Sequence, residues 1–435
     1  VMDAVDRGYD KDKAVVDEIE QNKRLLTESY YYDKKVFQPI VNKYLDRRQY
    51  YIKFAYILFP FTQEAEGMTQ TDPKDLAQNV LDSINNKQLS FAEAAKKYSS
   101  DKKAGANGGV VDKYLVSGTI QKPIEDALFT LGENQIYSTL LKTSYGYFIL
   151  KLVEKIPRKQ ILVGHILKAR KSDSLSNEEI NKADSLLALL RKGANFEKLA
   201  ELNSDDPASA INGGALDSYY DLANGFVNTK SFLEPHFVET FLNLKDGQIS
   251  DTIHTSYGIH ILKRIDTKDP DLEKDRKDIE EFYKRISYDN DKAEYYENYV
   301  KTNGFNLNSD DFSKILSNVN RTKTNLDSNW SAKIPKDIFT DKLFSFNTNS
   351  MTVGEFIDLL SDKSKTDYRA TALDREGLQS AMFKIVKPQV MDLWATELEK
   401  NYPEFNHLIK EFHDGILLFK VEALEVWNKL QLDTA

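Results

Sequence analysis

One order of elements occurs twice in this 435-residue chain, and that duplication limits its architecture more than any other feature. Each copy reads as an apolar strand, two helical runs, a Gly-Gly turn, a further helix and a closing strand that opens on Ser-Tyr-Gly. Asp101, Gly108-Gly109 and Tyr114 find their matches 105 residues later, at Asp206, Gly213-Gly214 and Tyr219. Phe129 and Ser144-Tyr145-Gly146 match Phe241 and Ser256-Tyr257-Gly258 at a spacing of 112, so the second copy holds seven extra residues between Tyr219 and Phe241. Two long copies do not make a solenoid. They predict a duplicated β-α-α-β-α-β unit.

The local signals are consistent within each copy. Ile52, Phe54, Tyr56 and Leu58 alternate with Lys53, Ala55 and Ile57, a period-two pattern of high β propensity. Asp72-Pro73 offers a helix cap followed by proline at a first-turn position, and Ser176-x-x-Glu179 is a capping box. Residues 91–98 and 196–202 read as the second helix of each copy, and 257–263 as the closing strand of the second.

Outside the copies the pattern is helical. Val15, Val16, Ile19, Leu25 and Leu26 form an apolar stripe, followed by Tyr30-Tyr31-Tyr32, which reads as packing. Pro39 predicts a kink or a helix start nearby. The run of charges over 273–284 reads as a solvated helix face, and 306–349 as polar and irregular. Thr352-Val353-Gly354-Glu355 is a further capping box, and Met382, Val386, Val390, Trp394 and Leu398 form a stripe bent at Pro388. The division expected is a helical region over 1–50, a first unit over 51–156, a second over 157–266 and a mostly helical region over 267–435.

Bulk properties exclude several chemistries. With no cysteine, thiol catalysis, disulfides and thiolate metal sites are ruled out, though the compartment stays open. A formal charge of −9 with both signs interspersed argues against a nucleic-acid surface. No apolar run approaches the roughly 20 residues that span a bilayer. The chain starts at Val1 without a signal-like block, and we read it as the ordered part of a longer protein.

The polar residues that stand out are His165 and His260, one on each apolar strand bounding the second copy, and Asp206 on the loop between. Together they predict a small polar cluster in an apolar bowl. A zinc site from His165, His254, His260 and Asp206 has no familiar ligand spacing, and Gly213-Gly214 lacks the Lys-Ser/Thr of a phosphate loop, which leaves it a turn. No metal and no cofactor is expected.

Val163-Gly164-His165-Ile166-Leu167, Ser204-Asp205-Asp206, Gly213-Gly214-Ala215-Leu216 and Tyr257-Gly258-Ile259-His260-Ile261-Leu262 resemble the parvulin-type peptidyl-prolyl isomerases. The layout of N-terminal helices, two parvulin units and C-terminal helices resembles the SurA-like periplasmic chaperones. The fold so implied is α+β: two parvulin-like domains, each a small antiparallel sheet with surrounding helices, flanked by helical regions. The resemblance gives His165, Asp206 and His260 the catalytic positions and makes Leu216, Leu233 and Phe237 the pocket for the proline ring. Ala215-Leu216-Asp217 lacks the glycine usual after the leucine, which implies a differently shaped loop.

The first copy departs from this set. Tyr56 and Phe148 stand at the histidine positions, residues 51–156 contain no histidine, and Gln121 and Glu125 fall where Leu233 and Phe237 should be. Asp101 remains with no imidazole to pair with. The resemblance therefore implies a prolyl isomerase and chaperone active in its second unit only. It would act in the periplasm on unfolded or proline-containing chains bound for export or the outer membrane. The alternative is a catalytically silent holdase, or a structural subunit of an outer-membrane assembly or secretion complex.

Overall fold

The computed structural model describes residues 2–61, 72–111, 113–171, 176–220 and 234–424. In chain order, helices α1 (Met2–Asp6), α2 (Lys13–Tyr32) and α3 (Gln38–Arg47) come first. The first copy follows: β1 (Tyr50–Pro60), α4 (Lys74–Asn85), α5 (Phe91–Tyr98), α6 (Lys102–Ala106), α7 (Lys122–Leu128), β2 (Leu141–Thr143) and β3 (Gly146–Pro157). The second comprises β4 (Gln160–Ala169), α8 (Asn177–Arg191), α9 (Phe196–Asn203), α10 (Pro207–Ala210), α11 (Pro235–Asn243), β5 (Ile249–Thr255) and β6 (Gly258–Lys268). Then come α12 (Leu272–Ile286), α13 (Tyr288–Thr302), β7 (Phe305–Leu307), α14 (Ser309–Asn318), β8 (Lys342–Phe346), β9 (Asn349–Thr352), α15 (Val353–Ser361), α16 (Arg375–Asn401) and α17 (Pro403–Glu422).

The chain folds as two compact units. Residues 41–283 form one, and residues 1–40 join 284–435 to form the other.

In the unit of residues 41–283, each copy carries a three-stranded antiparallel sheet with its closing strand in the centre, in the orders β1-β3-β2 and β4-β6-β5. The middle strand expected of each unit is reduced to isolated bridges, Ala55 to Val110 and Gly164 to Ala215. A short strand just before the closing one makes the sheet three-stranded instead. Both opening strands shift register at equivalent points, between Lys53 and Phe54 and between Leu162 and Val163. These strands are apolar on both faces because both faces are covered. Ala55, Ile57 and Phe59 pack with α4 and α5, while Ile52 and Phe54 pack with Ile124 and Leu128 of α7.

The Gly-Gly turn has a backbone cause. Gly109 and Gly214 both have φ +85°, and a Cβ at either would stand 2.7 Å from the Tyr56 carbonyl oxygen or 2.6 Å from that of His165. The bare backbone accepts a hydrogen bond from the strand instead, Tyr56 N to Gly109 O at 2.9 Å and His165 N to Gly214 O at 2.8 Å. The charge run on α12 is not wholly solvated: Asp275 is buried and takes both Arg158 and Arg48 as ion-pair partners, Arg48 at 3.2 Å.

In the other unit the tyrosines are core. Tyr31 stacks flat on Trp394 with ring centroids 4.1 Å apart, and Tyr32, Tyr295, Tyr296 and Tyr299 surround the same indole. A π-helical turn, Asp33–Phe37, precedes Pro39, where the helix lacks an N–H. Pro388 does not end α16, which runs from Arg375 to Asn401. Residues 305–352 are more ordered than their composition suggests, since β7, β8 and β9 form a small antiparallel sheet.

Candidate active site

His165 lies in mid β4 opposite Leu262, and His260 in β6 opposite Leu167. That register makes the two histidines diagonal neighbours on one face of the sheet, within side-chain reach. Both are fully buried, with rings near-parallel at 23° and centroids 5.4 Å apart. Their Nδ1 atoms are 3.2 Å apart, and His165 Nε2 is 2.8 Å from Asp206 Oδ2. The three polar residues singled out from the sequence meet in one cluster.

Two members of that cluster escaped the sequence reading. The Ser209 hydroxyl donates to Asp206 Oδ2 at 2.6 Å and lies 2.9 Å from His165 Nε2. Thr255 Oγ1 lies 2.8 Å from His260 Nε2. A comparison of the copies holds both signals. Thr255 matches Thr143, part of a longer shared Thr-Ser-Tyr-Gly string, while Ser209 faces Ala104 and belongs to the second copy alone.

The network assigns the protons. An ionised carboxylate only accepts, so His165 Nε2–H donates to Asp206. His165 Nδ1 is then bare and accepts from His260 Nδ1–H, and His260 Nε2 in turn accepts from the Thr255 hydroxyl. Both imidazoles are neutral in this chain. Burial drives His165 below the usual histidine range against the pull of Asp206, and burial with the neighbouring His165 pushes His260 down to about 3. Burial alone would raise the Asp206 carboxyl; hydrogen bonds from Ser209 and His165 outweigh it and hold the group low.

Asp206 also caps the short helix α10, accepting from Ala208 N at 3.2 Å. Phe237 is fully buried and meets both imidazoles edge-on, at 5.4 Å from His260 and 6.4 Å from His165. Leu216, half-buried, belongs to the same apolar cluster as Phe237. Leu233 lies outside the described residues. His254 is exposed, away from the buried pair, and among the described residues no three His, Cys, Asp or Glu side chains are grouped to hold a metal.

The first copy keeps the frame with other side chains. The Tyr56 hydroxyl donates to Asp101 Oδ2 at 2.5 Å, so that carboxylate does have a partner, and Asp101 caps α6 through Ala104 N. Phe148 packs 5.8 Å from the Tyr56 ring. Glu125, at the Phe237 position, is buried and bonded to the Ser117 hydroxyl at 2.5 Å, Gly118 N at 2.8 Å and Arg47 at 3.2 Å. Burial still raises its carboxyl above the ordinary range.

The chain matches the PPIC-type PPIASE domain family twice, over residues 41–156 and 150–268, together more than half its length. It is 27% identical over 234 residues to a protein named Chaperone SurA from Pseudoalteromonas atlantica, covering 52% of this chain and 50% of that protein. It is 31% identical over 163 residues to a Parvulin-like PPIase from Rickettsia bellii, covering 35% of this chain and 50% of the relative. The chain thus spans about half the length of these curated relatives. Among solved structures it is similar to the parvulin domain of PpiD from E. coli, at 27% identity and a TM-score of 0.20, over 25% of this chain and 90% of that one.

Proposed function

This chain belongs to the PPIC-type PPIase domain family, and from that premise we propose that its second copy isomerises X-Pro bonds in unfolded polypeptides while the first does not. The observation that carries the assignment is the neutral His165–His260 pair beside Phe237, anchored on Asp206. Rotation about a prolyl bond faces a barrier near 20 kcal/mol and takes tens of seconds or more unaided. No bond to carbon breaks. The twisted amide has lost its resonance, so its carbonyl is less polar than in the planar state. A site that grips the ring and excludes water favours it over the ground state. Leu216 and Phe237 supply the described apolar wall, and Leu233 is proposed to complete it. The imidazoles form a fixed dipolar floor, and proton transfer is not required.

The rate of a short X-Pro peptide in a protease-coupled assay tests this. The full chain should accelerate cis-to-trans conversion, and Asp206→Ala should reduce the effect. No acceleration at micromolar protein would end the catalytic reading.

The same chain is proposed to hold unfolded clients in the periplasm, as its SurA-like relatives suggest. The first copy supports a holding role, since it keeps the fold without imidazoles. No helix among the described residues is long and apolar enough to cross a membrane. Suppression of client aggregation should survive in His165→Ala with His260→Ala. Docking to outer-membrane assembly or secretion machinery is a further proposal, tested by copurification.

A further inference from the structure

The apolar cluster on the His165 face of the sheet is not built from the second copy alone. It gathers Ile161, Val163 and Leu262 of the second sheet with Phe237 and Phe241 of α11, and it also contains Tyr51 and Val116 of the first copy. Tyr51 is fully buried and its hydroxyl reaches the Lys159 carbonyl oxygen at 3.3 Å. Val163 stands two residues before His165 on the same strand face, and both described walls of the proline site, Leu216 and Phe237, are packed in this cluster. Lys53 adds an ion pair at 3.9 Å to Glu239 on α11. The corresponding cluster of the first copy consists only of residues between 52 and 152 among those described. The site cluster of the second copy thus takes residues from the first, whereas the corresponding cluster of the first takes none from the second among the described residues.

We propose that the first copy positions the active site of the second, with Tyr51 as the central positioning residue, by bracing α11 and β4 so that Phe237 and the imidazole pair keep their geometry. Tyr51 touches no reacting atom. The inference rests on the isomerase reading for its effect on rate. The junction has a second tie: Arg158 and Arg48, which flank β1 and β4, share the buried Asp275 carboxylate. The unit of residues 41–283 is compact across both copies, as bracing requires. The first copy, without imidazoles of its own, thereby gains a role in the chemistry of its neighbour.

The test uses the full chain labelled with ¹⁵N at histidine, in the variants Tyr51→Ala, Val116→Ala and Tyr51→Phe. Three quantities are read: the His165 and His260 imidazole signals, amide exchange over 238–244 against that of Leu186, Leu187 and Leu190 on α8, and kcat/KM on an X-Pro peptide. Tyr51→Ala should shift both imidazole signals and speed exchange in α11 alone. It should also lower kcat/KM about tenfold, since small misplacements at a site are costly. Tyr51→Phe should restore all three, because it keeps the ring. Val116→Ala, a milder cut, should lower kcat/KM roughly threefold on the same reasoning and decides the matter if Tyr51→Ala does not fold. Unchanged imidazole signals and α11 exchange in a folded variant would overturn the proposal. So would a loosened α11 with kcat/KM as in the wild type. An inactive wild-type chain would instead remove the isomerase reading, and the imidazole and exchange signals would still judge the bracing.

Discussion

The two copies place different side chains on one backbone frame. His165, His260 and Phe237 of the second stand where the first has Tyr56, Phe148 and Glu125, yet the strand registers, the bulge and both glycine φ angles coincide. The aspartate survives in both because it has two duties. Asp101 and Asp206 each cap a short helix, a task that needs no imidazole. A retained aspartate is therefore no sign of retained chemistry, whereas Ser209, matched by Ala104 in the first copy, stands only where the imidazoles do. The fold constrains backbone and caps, and leaves the floor of the site open to replacement.

The comparison is broken most directly by exchanging the floors. His165→Tyr with His260→Phe gives the second copy the first copy's residues, and the new hydroxyl can reach Asp206 as Tyr56 reaches Asp101. The chain should fold, while kcat/KM falls roughly a hundredfold, the scale on which preorganised dipoles act at a reacting centre. Tyr56→His with Phe148→His should gain no activity, because Glu125 still stands in place of the proline wall. A protease-coupled assay with a thermal melt on each variant checks both. Activity surviving the first exchange would show that the imidazoles are not the working part.

Phe237→Glu carries the comparison to the wall. In the first copy Glu125 is held by Ser117, Gly118 and Arg47. A carboxylate at 237 would enter an apolar cluster among Val163, Phe241 and Leu262. Uncompensated burial of a charge should cost on the order of 3 kcal/mol or more, read as a lower denaturation midpoint. Glu125→Ala should cost about 2 kcal/mol by stranding the Ser117 hydroxyl and Gly118 amide.

How much of this was legible depends on range. The duplication, the histidine pair, Asp206 and the glycine turn were readable because each is fixed by residue identity or by local backbone demands. Tyr51 gave no sign of its place in the neighbouring copy's core, since a strand's period says which face is apolar and not what covers it. The same limit hid the joining of residues 1–40 to 284–435, where Tyr31 meets Trp394 across the length of the chain. Asp275 was lost in a charge run because its neighbours are solvated and only α12's inner face is not. The strands at 305–307 and 342–352 are too short for periodicity to separate from loop. Ser209 needed the first copy as a control, where Ala104 takes its place.

Acid should separate the copies by a smaller margin. Both imidazoles titrate below the ordinary histidine range, His260 near 3, chiefly because burial disfavours the cation. The unfolded chain binds those protons first. Their contribution is therefore complete above about pH 6.5 and is lost progressively as pH falls below it, for His260 down to about 3. The first copy has no such group. The Tyr56 hydroxyl is raised to about 12 by burial and Asp101, so its share is lost only in strong base, and Asp101, held low by Tyr56, loses its share only in stronger acid. From pH 7 to pH 5, amides of β6 should lose protection relative to those of β3, after correction for intrinsic exchange. Over pH 7 to 8 kcat/KM should stay flat. A fall in kcat/KM below pH 7 with a midpoint near 6.5 would mean that an imidazole of ordinary pKa controls the activity.

The finest distinction comes from Asp101→Asn against Asp206→Asn. Asparagine caps a helix about as well as aspartate, so each change should cost only a few tenths of a kcal/mol through the cap. In the first copy the amide oxygen keeps the cap from Ala104 N and the amide NH2 donates to the Tyr56 hydroxyl, which can accept as well as donate, so nothing further follows. In the second, the amide can also donate, and a donor facing His165 Nε2 reverses the proton chain: His165 becomes protonated at Nδ1 and His260 at Nε2. The ¹⁵N signals of both imidazoles should exchange tautomer in Asp206→Asn and stay as in the wild type in Asp101→Asn. Thr255 would then accept where it had donated. If the tautomers hold in both variants, the carboxylate does not set the direction of the chain, and the resemblance of the two aspartates is structural throughout.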